Sequence, residues 1–539
     1  MVISKRKAII SLLVILVIAT FFRLWQLDLV PPGLYPDEAL NGNDALDLLQ
    51  EGKFKLFYPE NNGREGLFVW LIALSFSIFG ASVWAIKIVP AIFGILTVLG
   101  VYFLAKELFR KCNENCSRCI GLLASFFLAI SFWHINFSRI GFRAILVPFL
   151  LVFGFYFLFR GLRTKKALQF IASGIFFGLG FYTYISYRFV VLLLAIILIP
   201  KIYKKRKLQR KYLSLISLFL IFTFLVALPI GIYFLQNPQD FFGRAAGVSV
   251  FAQENPIYEI GKSLILHLGM FNFYGDGNWR HNFAGSPVLL WPIGIFFLIG
   301  LVLSIKELIS VIKKKGFRFS AEGGPAGGWH TSGFLIAWFL IMLLPGILSY
   351  EGIPHALRVI GVIPVAYILA GLGACWLFRK TKCFFKTKNQ VIAFYLCLSV
   401  LFLAISCSQF NKYFYQWGKR PETEGAFSKN YVEVGNYLNS LPDDIEKYVI
   451  VNQAGVPVPW PDGIPVPAQT PMFIEKAKFG QIRSIYLLPE NLNQIKIDKE
   501  KGAVIVPLQY DEDLLLKIVI FFPGGKFQEK NGNWIYEIY

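Results

Sequence analysis

Long apolar runs separated by short polar joints dominate the first 410 residues of the chain. A run of about 20 apolar residues is long enough to cross the hydrocarbon core of a bilayer. The predicted spans are 8–27, a compound run at 67–108, and then 119–136, 142–160, 168–184, 189–203, 212–235, 287–310, 333–349, 357–378 and 390–409. The compound run reads as a short span, 67–80, followed by a longer one, 84–108. Either a re-entrant piece with one crossing or three tight crossings would fit it, which predicts about 11–13 transmembrane helices in all.

The composition agrees with a polytopic α-helical membrane protein. Hydrophobic residues make up 55% of the 539 positions and charged residues 16%, whereas soluble domains carry about 25% charged residues. The net charge of +21 would also suit a nucleic-acid partner. The positive residues are concentrated in short joints between apolar runs, however, as the positive-inside rule expects of cytoplasmic loops. We therefore expect no nucleic-acid binding.

Basic joints that are poor in acids predict which loops face the cytoplasm, namely 160–166, 201–211, 313–318 and 379–388. Three basic residues precede the first apolar run, which is predicted to be an uncleaved anchor with a cytoplasmic N-terminus. The membrane is predicted to be a prokaryotic plasma (inner) membrane. The opposite joints are then extracytoplasmic. They include the acidic loop 28–66 and the long loop 236–286.

After about residue 410 the pattern changes to mixed charges, prolines and short strand-like runs. It predicts a small extracytoplasmic α/β domain over 411–539, separate from a transmembrane domain over 1–410. Strands are expected at 448–452, 484–488 and 503–508, helices at 431–441 and 511–520, and a hairpin at 526–539 that turns at Asn531-Gly532.

Two adjacent carboxylates, Asp37 and Glu38, follow the first apolar run. Acids are costly to keep beside hydrocarbon, so their position indicates that they act on something at the membrane surface. The plainer alternative is a solvated acidic turn. The same loop ends with Arg64 and Glu65, which we expect to pair and brace it.

The other predicted outer joints gather arginines, histidines and tyrosines near the membrane boundary. Arginine is the main cation there, and its guanidinium group suits bidentate binding of phosphate. These joints therefore suit a phosphorylated, lipid-anchored substrate, although arginines also anchor helices at the interface and tyrosines form aromatic belts. The candidate substrate- and phosphate-binding residues are Arg64, Glu65, Arg139, Arg143, Tyr182, Tyr184, Arg188, Arg280, His281, His355 and Arg358.

The sequence predicts no metal site. No two histidines lie four positions apart on one helix, as a zinc motif of that kind requires. Cys112-x3-Cys116-x2-Cys119 has the spacing of radical-SAM iron–sulfur enzymes, but no βα-barrel pattern surrounds it. The seven cysteines are too few and too scattered for a disulfide framework.

Together these motifs resemble the GT-C superfamily of polyprenyl-phosphate-sugar-dependent glycosyltransferases, specifically the family 39 branch of protein O-mannosyltransferases and aminoarabinose transferases. The resemblance covers about residues 8–410. It is carried by Tyr35-Pro36-Asp37-Glu38, Gly63-Arg64-Glu65, Phe137-Ser138-Arg139, the segment 275–282 and Pro354-His355-Ala356-Leu357-Arg358. Gly66 departs from the family pattern, in which proline follows Arg-Glu.

The resemblance implies a GT-C-like membrane domain whose loops 28–66 and 236–286 form the active site. The enzyme would transfer a hexosyl or pentosyl group, with inversion, from a polyprenyl-phosphate donor to a hydroxyl of a protein, lipid or glycan. Asp37 would be the general base, and Glu38 would orient its partner or bind the acceptor. Arginines, chiefly Arg139, Arg280 and Arg358, would stabilise the leaving phosphate. No cofactor is firmly predicted: a divalent cation is compatible with this chemistry but not required.

Three other functions remain as alternatives. A transporter or flippase for a lipid-linked sugar would place charges in mid-membrane and show internal repeats, and neither is apparent in the sequence. An O-antigen polymerase or ligase shares the outer loops and arginines, but the acid pair directly after the first span favours the glycosyltransferase. A structural or receptor protein would use the C-terminal domain and keep the spans as a scaffold.

Overall fold

The computed structural model describes residues 4–112, 114–203, 210–315, 331–460, 462–498, 501–530 and 532–538. Helices dominate these residues. They are α1 (Lys5–Leu24), α2 (Pro36–Glu51), α3 (Leu67–Phe79), α4 (Val83–Leu108), α5 (Glu114–Ala129), α6 (Phe132–Phe137), α7 (Leu146–Thr164), α8 (Ala167–Leu179), α9 (Val190–Tyr203), α10 (Arg210–Gln236), α11 (Pro238–Gly247), α12 (Pro256–Gly269), α13 (Trp291–Lys315), α14 (Thr331–Ile347), α15 (Ile363–Lys382), α16 (Lys388–Asn411), α17 (Pro421–Ala426), α18 (Lys429–Ser440), α19 (Gln469–Phe479) and α20 (Glu512–Phe521).

The strands are short and most of them follow residue 440. They are β1 (Phe57–Tyr58), β2 (Arg64–Glu65), β3 (Glu446–Ile450), β4 (Pro457–Val458), β5 (Ile464–Pro465), β6 (Ile485–Leu487), β7 (Ala503–Pro507), β8 (Lys526–Lys530) and β9 (Asn533–Ile538). The predicted C-terminal helices, strands and hairpin are thus confirmed. Asn531 of the predicted turn, and most of the predicted basic joint 201–211, lie outside the described residues.

Within the described residues, seven helical stretches are long and apolar enough to cross a membrane: Lys5–Leu24, Val83–Leu108, Arg143–Thr164, Leu213–Gln236, Trp291–Lys313, Ile360–Lys382 and Lys388–Trp417. Four shorter apolar helices accompany them: Leu67–Phe79, Ala167–Tyr182, Ile185–Ile199 and Thr331–Ile347. The prediction of a polytopic α-helical membrane protein with a small C-terminal α/β region is confirmed.

The compound run 67–108 holds two helices, so the alternative of three tight crossings is wrong. α3 ends at Gly80, whose φ of +78° lies outside the helical region, and α4 begins three residues later. α4 then continues for 26 residues through Pro90 without a break. The uninterrupted length of α4 leaves no residues for a further turn.

The acidic loop 28–66 contains a helix, α2, that the sequence analysis did not predict. Pro36 occupies one of its first positions, where a missing N–H costs nothing, and the acid pair lies in its first turn. Carboxylates are favoured there by the helix dipole. The helix ends at Gly52, which adopts the left-handed φ of +66°. The long loop 236–286 likewise holds two helices, α11 and α12.

The chain divides into two compact units. We call the first the helical unit; it comprises Met1–Trp25, Pro90–Arg139 and Arg143–Trp417. We call the second the mixed unit; it comprises Gln26–Val89, Ile140–Phe142 and Gly418–Tyr539. The C-terminal residues therefore belong to the same unit as the acidic loop. The predicted separation of domains at residue 410 stays a prediction.

The mixed unit is built on a five-stranded sheet with the order β6-β3-β7-β9-β8. β3 is parallel to β6 and β7, whereas β9 is antiparallel to β7 and β8. Apolar side chains cover both faces. One cluster joins α18 to the sheet and the other joins α20 to the opposite face.

Helix α19 packs against α2 within the mixed unit. The Asn43 amide donates to the side-chain oxygen of Gln469 at 2.8 Å, and Lys476 forms an ion pair with Asp47 at 2.8 Å. Gly42 allows the close approach, because a Cβ there would lie 2.7 Å from the Phe473 ring. The helix that carries the acid pair is thus held by residues about 430 positions further along the chain.

Candidate active site

The two acids of the pair have different environments in the mixed unit. Asp37 is partly exposed, and its Oδ1 accepts a hydrogen bond from the Asn61 amide at 2.8 Å. Glu38 is fully buried, and its Oε2 accepts from the Gly141 N–H at 2.7 Å. Adjacent helix positions point about 100° apart, which sends one carboxylate outward and the other inward. Only Asp37 can be reached by a substrate.

Burial raises the pKa of Glu38 from 4.5 to about 7. The nearby charge of Lys87 and the Gly141 N–H lower it, while the neighbouring charge of Asp37 raises it further. The effect of burial on the pKa of Glu38 is therefore larger than the opposing effect of the Lys87 charge. Lys87 itself donates to the carbonyls of Pro31 and Gly33, so it fixes the chain entering α2. The sequence analysis did not single out this lysine, which lies inside an apolar run.

Arg64 crosses the acidic loop instead of bracing it locally. Its guanidinium forms an ion pair with Asp44 at 2.5 Å and donates to Asn41 at 2.9 Å. The predicted pairing with Glu65 is replaced by this contact, because successive strand residues point to opposite sides. Glu65 is buried in β2, opposite Phe57 of β1. Arg64 and Glu65, which were both predicted to bind substrate, are buried. The contacts of Arg64 with Asp44 and Asn41 favour a structural role for this arginine.

A second polar cluster lies in the helical unit and joins two predicted outer joints. Asp276 accepts from the Ala356 N–H at 2.8 Å and faces Nδ1 of His281 at 3.0 Å. Nδ1 of His355 lies 3.9 Å from the same carboxylate oxygen, and the two imidazole rings are 4.7 Å apart. The structure thus brings His281 and His355 together around Asp276, a residue that was not among the predicted ones.

A further histidine, His267, supports this cluster by a hydrogen bond to the backbone of His355. Its Nδ1 lies 2.8 Å from the Ser263 carbonyl, and its Nε2 accepts from the His355 N–H at 3.1 Å. A carbonyl accepts only, so Nδ1 carries the proton and the ring is neutral. Burial lowers the pKa of His267 to about 4, which agrees with this tautomer.

The donor atoms of Asp276, His281 and His355 all lie within 4.8 Å of one another. Carboxylate and imidazole are ligands that zinc and similar ions accept. The residues therefore fit a divalent cation, which would take the place of the proton between Asp276 and His281. The prediction that no metal is needed stays a prediction.

The three arginines favoured as phosphate ligands differ in how far they are buried and in the groups that they contact. Arg280 is partly exposed, and its Nε donates to the side-chain oxygen of Asn278 at 3.3 Å. Arg358 pairs with Glu351 at 2.9 Å. Arg139 is fully buried, donates to the carbonyls of Phe22 and Trp25, and lies against two aromatic rings. The contacts of Arg139 favour a structural role.

The remaining predicted residues lie around helices α8 to α10. Arg143 is 5.4 Å from the ring of Tyr184, and both belong to the helical unit. Arg188 donates to the Phe241 carbonyl at 2.6 Å and stacks on that residue's ring. Tyr182 donates to the Val226 carbonyl at 2.8 Å. The tyrosine therefore ties its turn to α10.

One buried arginine was missed altogether. Arg23 lies in α1, is fully buried, and donates to the carbonyls of Ala19 and Ala129. Its other nitrogen lies 2.7 Å from Nδ1 of His134. The two residues are 111 positions apart in the sequence, so no local pattern could have indicated this contact.

Comparison with known proteins agrees with this fold. Residues 67–230 match the family model described as dolichyl-phosphate-mannose-protein mannosyltransferase. A search of curated proteins finds no match. Among solved structures, ArnT from Cupriavidus metallidurans bound to undecaprenyl phosphate is similar, with a TM-score of 0.57 and 12% identity over 99% of this chain and 98% of that one.

The Archaeoglobus fulgidus oligosaccharyltransferase, tethered with an acceptor peptide containing the NVT sequon, is also similar. Its TM-score is 0.54 at 14% identity, over 90% of this chain and 64% of that one. The chain has the GT-C fold. The GT-C-like fold predicted from the sequence is thereby confirmed, and the protein is an integral membrane protein.

Proposed function

We propose that this protein is a membrane glycosyltransferase that moves a sugar from a polyprenyl-phosphate donor to an extracytoplasmic hydroxyl group. The GT-C fold and the match to a mannosyltransferase family model support this. So does the undecaprenyl phosphate bound to the similar ArnT. The observation that carries the proposal is the partly exposed carboxylate of Asp37, held by Asn61 in the first turn of α2.

Asp37 would act as the general base. Inverting transfer needs one group to take the proton of the acceptor hydroxyl while that oxygen attacks the anomeric carbon. The helix N-terminus favours a charged carboxylate, and the Asn61 amide fixes its orientation. Glu38 is buried against Gly141, so its proposed part is to position α2 instead of contacting the acceptor.

Arg280 is the best candidate to stabilise the leaving phosphate. A departing phosphate gains negative charge, which a guanidinium stabilises without a metal. Arg280 is partly exposed, and its neighbours hold its backbone: its own carbonyl accepts from Asn136 at 2.6 Å. Arg358 already has a carboxylate partner and Arg139 is buried among carbonyls and rings.

The acceptor would meet the enzyme outside the cell. The basic joints predict a cytoplasmic N-terminus and an extracytoplasmic mixed unit. The C-terminal sheet belongs to the same unit as Asp37, which supports a part for it in choosing a protein, lipid or glycan acceptor.

The test is transfer of labelled sugar from a short-chain polyprenyl-phosphate donor by purified protein in detergent. Wild type is compared with Asp37→Asn and with Glu51→Gln, which removes an exposed carboxylate from the other end of the same helix. We expect Asp37→Asn to lose about 10²–10⁴-fold in rate, the usual contribution of a general base, and Glu51→Gln to keep its activity.

Equal turnover by wild type and Asp37→Asn would remove Asp37 as the base. Movement of intact donor across a liposome bilayer, without sugar release, would instead support the transporter alternative. An Arg280→Ala variant with unchanged donor affinity and rate would exclude Arg280 from the phosphate site.

A further inference from the structure

Three potential metal ligands from two loops of the helical unit converge on one point. Asp276 and His281 lie in the loop between α12 and α13, and His355 lies in the loop between α14 and α15. One ligand atom from each of the three side chains lies within 4.8 Å of the other two. The folded backbone sets this arrangement, because about 80 positions separate His355 from Asp276 in the sequence.

One carboxylate oxygen of Asp276 faces more nitrogen atoms than hydrogen bonding to it explains. Oδ2 accepts from the Ala356 N–H at 2.8 Å, and it lies 3.0 Å from Nδ1 of His281 and 3.9 Å from Nδ1 of His355. A carboxylate oxygen has about two lone-pair sites. The contacts with Ala356 and His281 occupy both of them, so no hydrogen bond to this oxygen accounts for the approach of the second imidazole.

The distances between the ligand atoms suit a tetrahedral ion. Zinc lies about 2.0–2.1 Å from an imidazole nitrogen and about 2.0–2.2 Å from a carboxylate oxygen, so neighbouring ligand atoms around it are about 3.3–3.5 Å apart. The two oxygen-to-nitrogen distances, 3.0 and 3.9 Å, lie on either side of this value. The centroids of the two imidazole rings are 4.7 Å apart, so both rings can face the same ion.

Hydrogen bonds that involve the backbone hold the three ligands in place. The other carboxylate oxygen of Asp276 accepts from the Asn278 N–H at 2.8 Å. The His281 N–H donates to the Asn278 carbonyl at 2.9 Å, and the His355 N–H donates to Nε2 of His267 at 3.1 Å. Groups that orient ligands in this way are part of metal sites, and their loss typically weakens metal binding about 10–100-fold.

We propose that Asp276, His281 and His355 form a zinc site that joins the two loops. One carboxylate and two imidazoles are a ligand set of zinc sites with three protein ligands, in which water takes the fourth position. Each imidazole binds through Nδ1 as a neutral ring that carries its proton on Nε2. A proton that Nδ1 holds beforehand passes to Nε2 or to solvent, and no electrons are transferred. Histidine spacing in the sequence did not predict this site, because two loops supply its ligands instead of one helix.

The ligand chemistry favours zinc over other divalent ions. Magnesium and calcium prefer oxygen ligands, whereas two of these three ligands are nitrogens. Iron(II) uses the same ligand set in sites that keep several positions open. The side chains of Asp276, His281 and His355 are only 2%, 6% and 14% exposed, which leaves little space for more than one further ligand.

The experiment uses the full chain, purified in detergent with an affinity tag that contains no histidine. Exposed thiols are capped by alkylation, because the seven cysteines could otherwise compete for zinc, and bound metal is then removed with a chelator. Zinc binding is measured by titration and elemental analysis for wild type, Asp276→Asn and His355→Ala. Glu254→Gln is the matched control, since it removes an exposed carboxylate from the same long loop, 236–286.

We expect about one zinc per chain in wild type and in the control, with no displacement by an excess of magnesium. The zinc affinity of Asp276→Asn and of His355→Ala should be at least about tenfold lower, since even groups that only support ligands contribute that much. Saturating zinc should raise the melting temperature of wild type and of the control but not of the two variants, because an ion that binds only the folded state stabilises it.

Cobalt(II) in place of zinc gives a readout that needs no substitution. We expect cobalt-loaded wild type to show the visible absorption of a tetrahedral ion with nitrogen and oxygen ligands. Absorption typical of thiolate ligands would place the metal on cysteines and overturn the proposal.

The proposal is also overturned if wild type binds no zinc, or if the protein is isolated with iron in its place. Zinc binding by both variants with the affinity of wild type would overturn it as well. Because none of these readouts involves sugar transfer, they test the site even if the proposed glycosyltransferase activity is wrong.

Discussion

Replacing Glu38 by glutamine should remove a pH dependence from the stability of the mixed unit. Burial raises the pKa of this carboxyl from 4.5 to about 7 in the folded protein. Below pH 4.5 both folded and unfolded states are protonated, so the group contributes no pH dependence. As the pH rises, the unfolded state loses its proton first, and the free energy of unfolding falls until the folded state also ionises near pH 7.

The size of this effect follows from the two pKa values. One pKa unit corresponds to about 1.4 kcal/mol, so the complete loss of stability between pH 4.5 and pH 7 is about 3 kcal/mol. The glutamine variant keeps an oxygen that can accept from the Gly141 N–H but does not titrate. We therefore expect Glu38→Gln to gain stability relative to wild type as pH rises, by about 3 kcal/mol above pH 7.

Hydrogen exchange of the α2 amides, measured by mass spectrometry at several pH values and corrected for intrinsic exchange, reports the free energy of opening of this helix. A Lys87→Met variant serves as a second perturbation, since it removes the cation that lowers the pKa of Glu38. In this variant the pKa of Glu38 should be higher still, so we expect the free energy of opening to keep falling up to a higher pH than in wild type. If the free energy of opening of Glu38→Gln differs from that of wild type by the same amount at pH 5 and at pH 8, Glu38 is not the source of the pH dependence.

Three further substitutions test the mixed unit. Arg64→Met leaves the Asp44 carboxylate without its ion-pair partner, and we expect a loss of about 3 kcal/mol of stability in chemical unfolding; an unchanged midpoint would contradict this. Gly42→Ala crowds the phenyl ring 2.7 Å from the new Cβ, so thermal unfolding should show a loss of about 1–3 kcal/mol, and no loss would mean that the ring yields freely. Asn61→Ala frees the Asp37 carboxylate; kcat for sugar transfer should fall about tenfold with the melting temperature retained, and an unaltered kcat would show that this hydrogen bond does not orient the base.

Patterns confined to neighbouring residues were predicted well from the sequence. The apolar spans, the C-terminal strands and the final hairpin each depend on local periodicity and turn residues. Helix α2 had local signals too, since Pro36, the acids after it and Gly52 mark its start and end. The segment is polar, however, and lacks the apolar periodicity on which the other predicted helices rest.

Contacts between distant parts of the chain could not be predicted in this way. Asp276 was not selected because its importance lies in the approach of His355, about 80 residues later. The partner of Arg64 was misassigned to its neighbour, since the fold of the loop decides which carboxylate is near. Arg23 was not selected either, because burial inside a helical unit leaves no mark in one sequence.

The contact of α2 with α19 also sets an order of events during synthesis. The amide of Asn43 pairs with Gln469, which is made 426 residues later. At about 5–20 residues per second, roughly 20–85 s pass before the helix that carries Asp37 meets its support. During that interval α2 has to remain near the membrane without its final packing. A nascent or prematurely terminated chain would therefore hold the early membrane spans and the early contacts of α2 with Asn61, Arg64 and Gly141, but α2 would lack its support from α19 until translation is nearly complete.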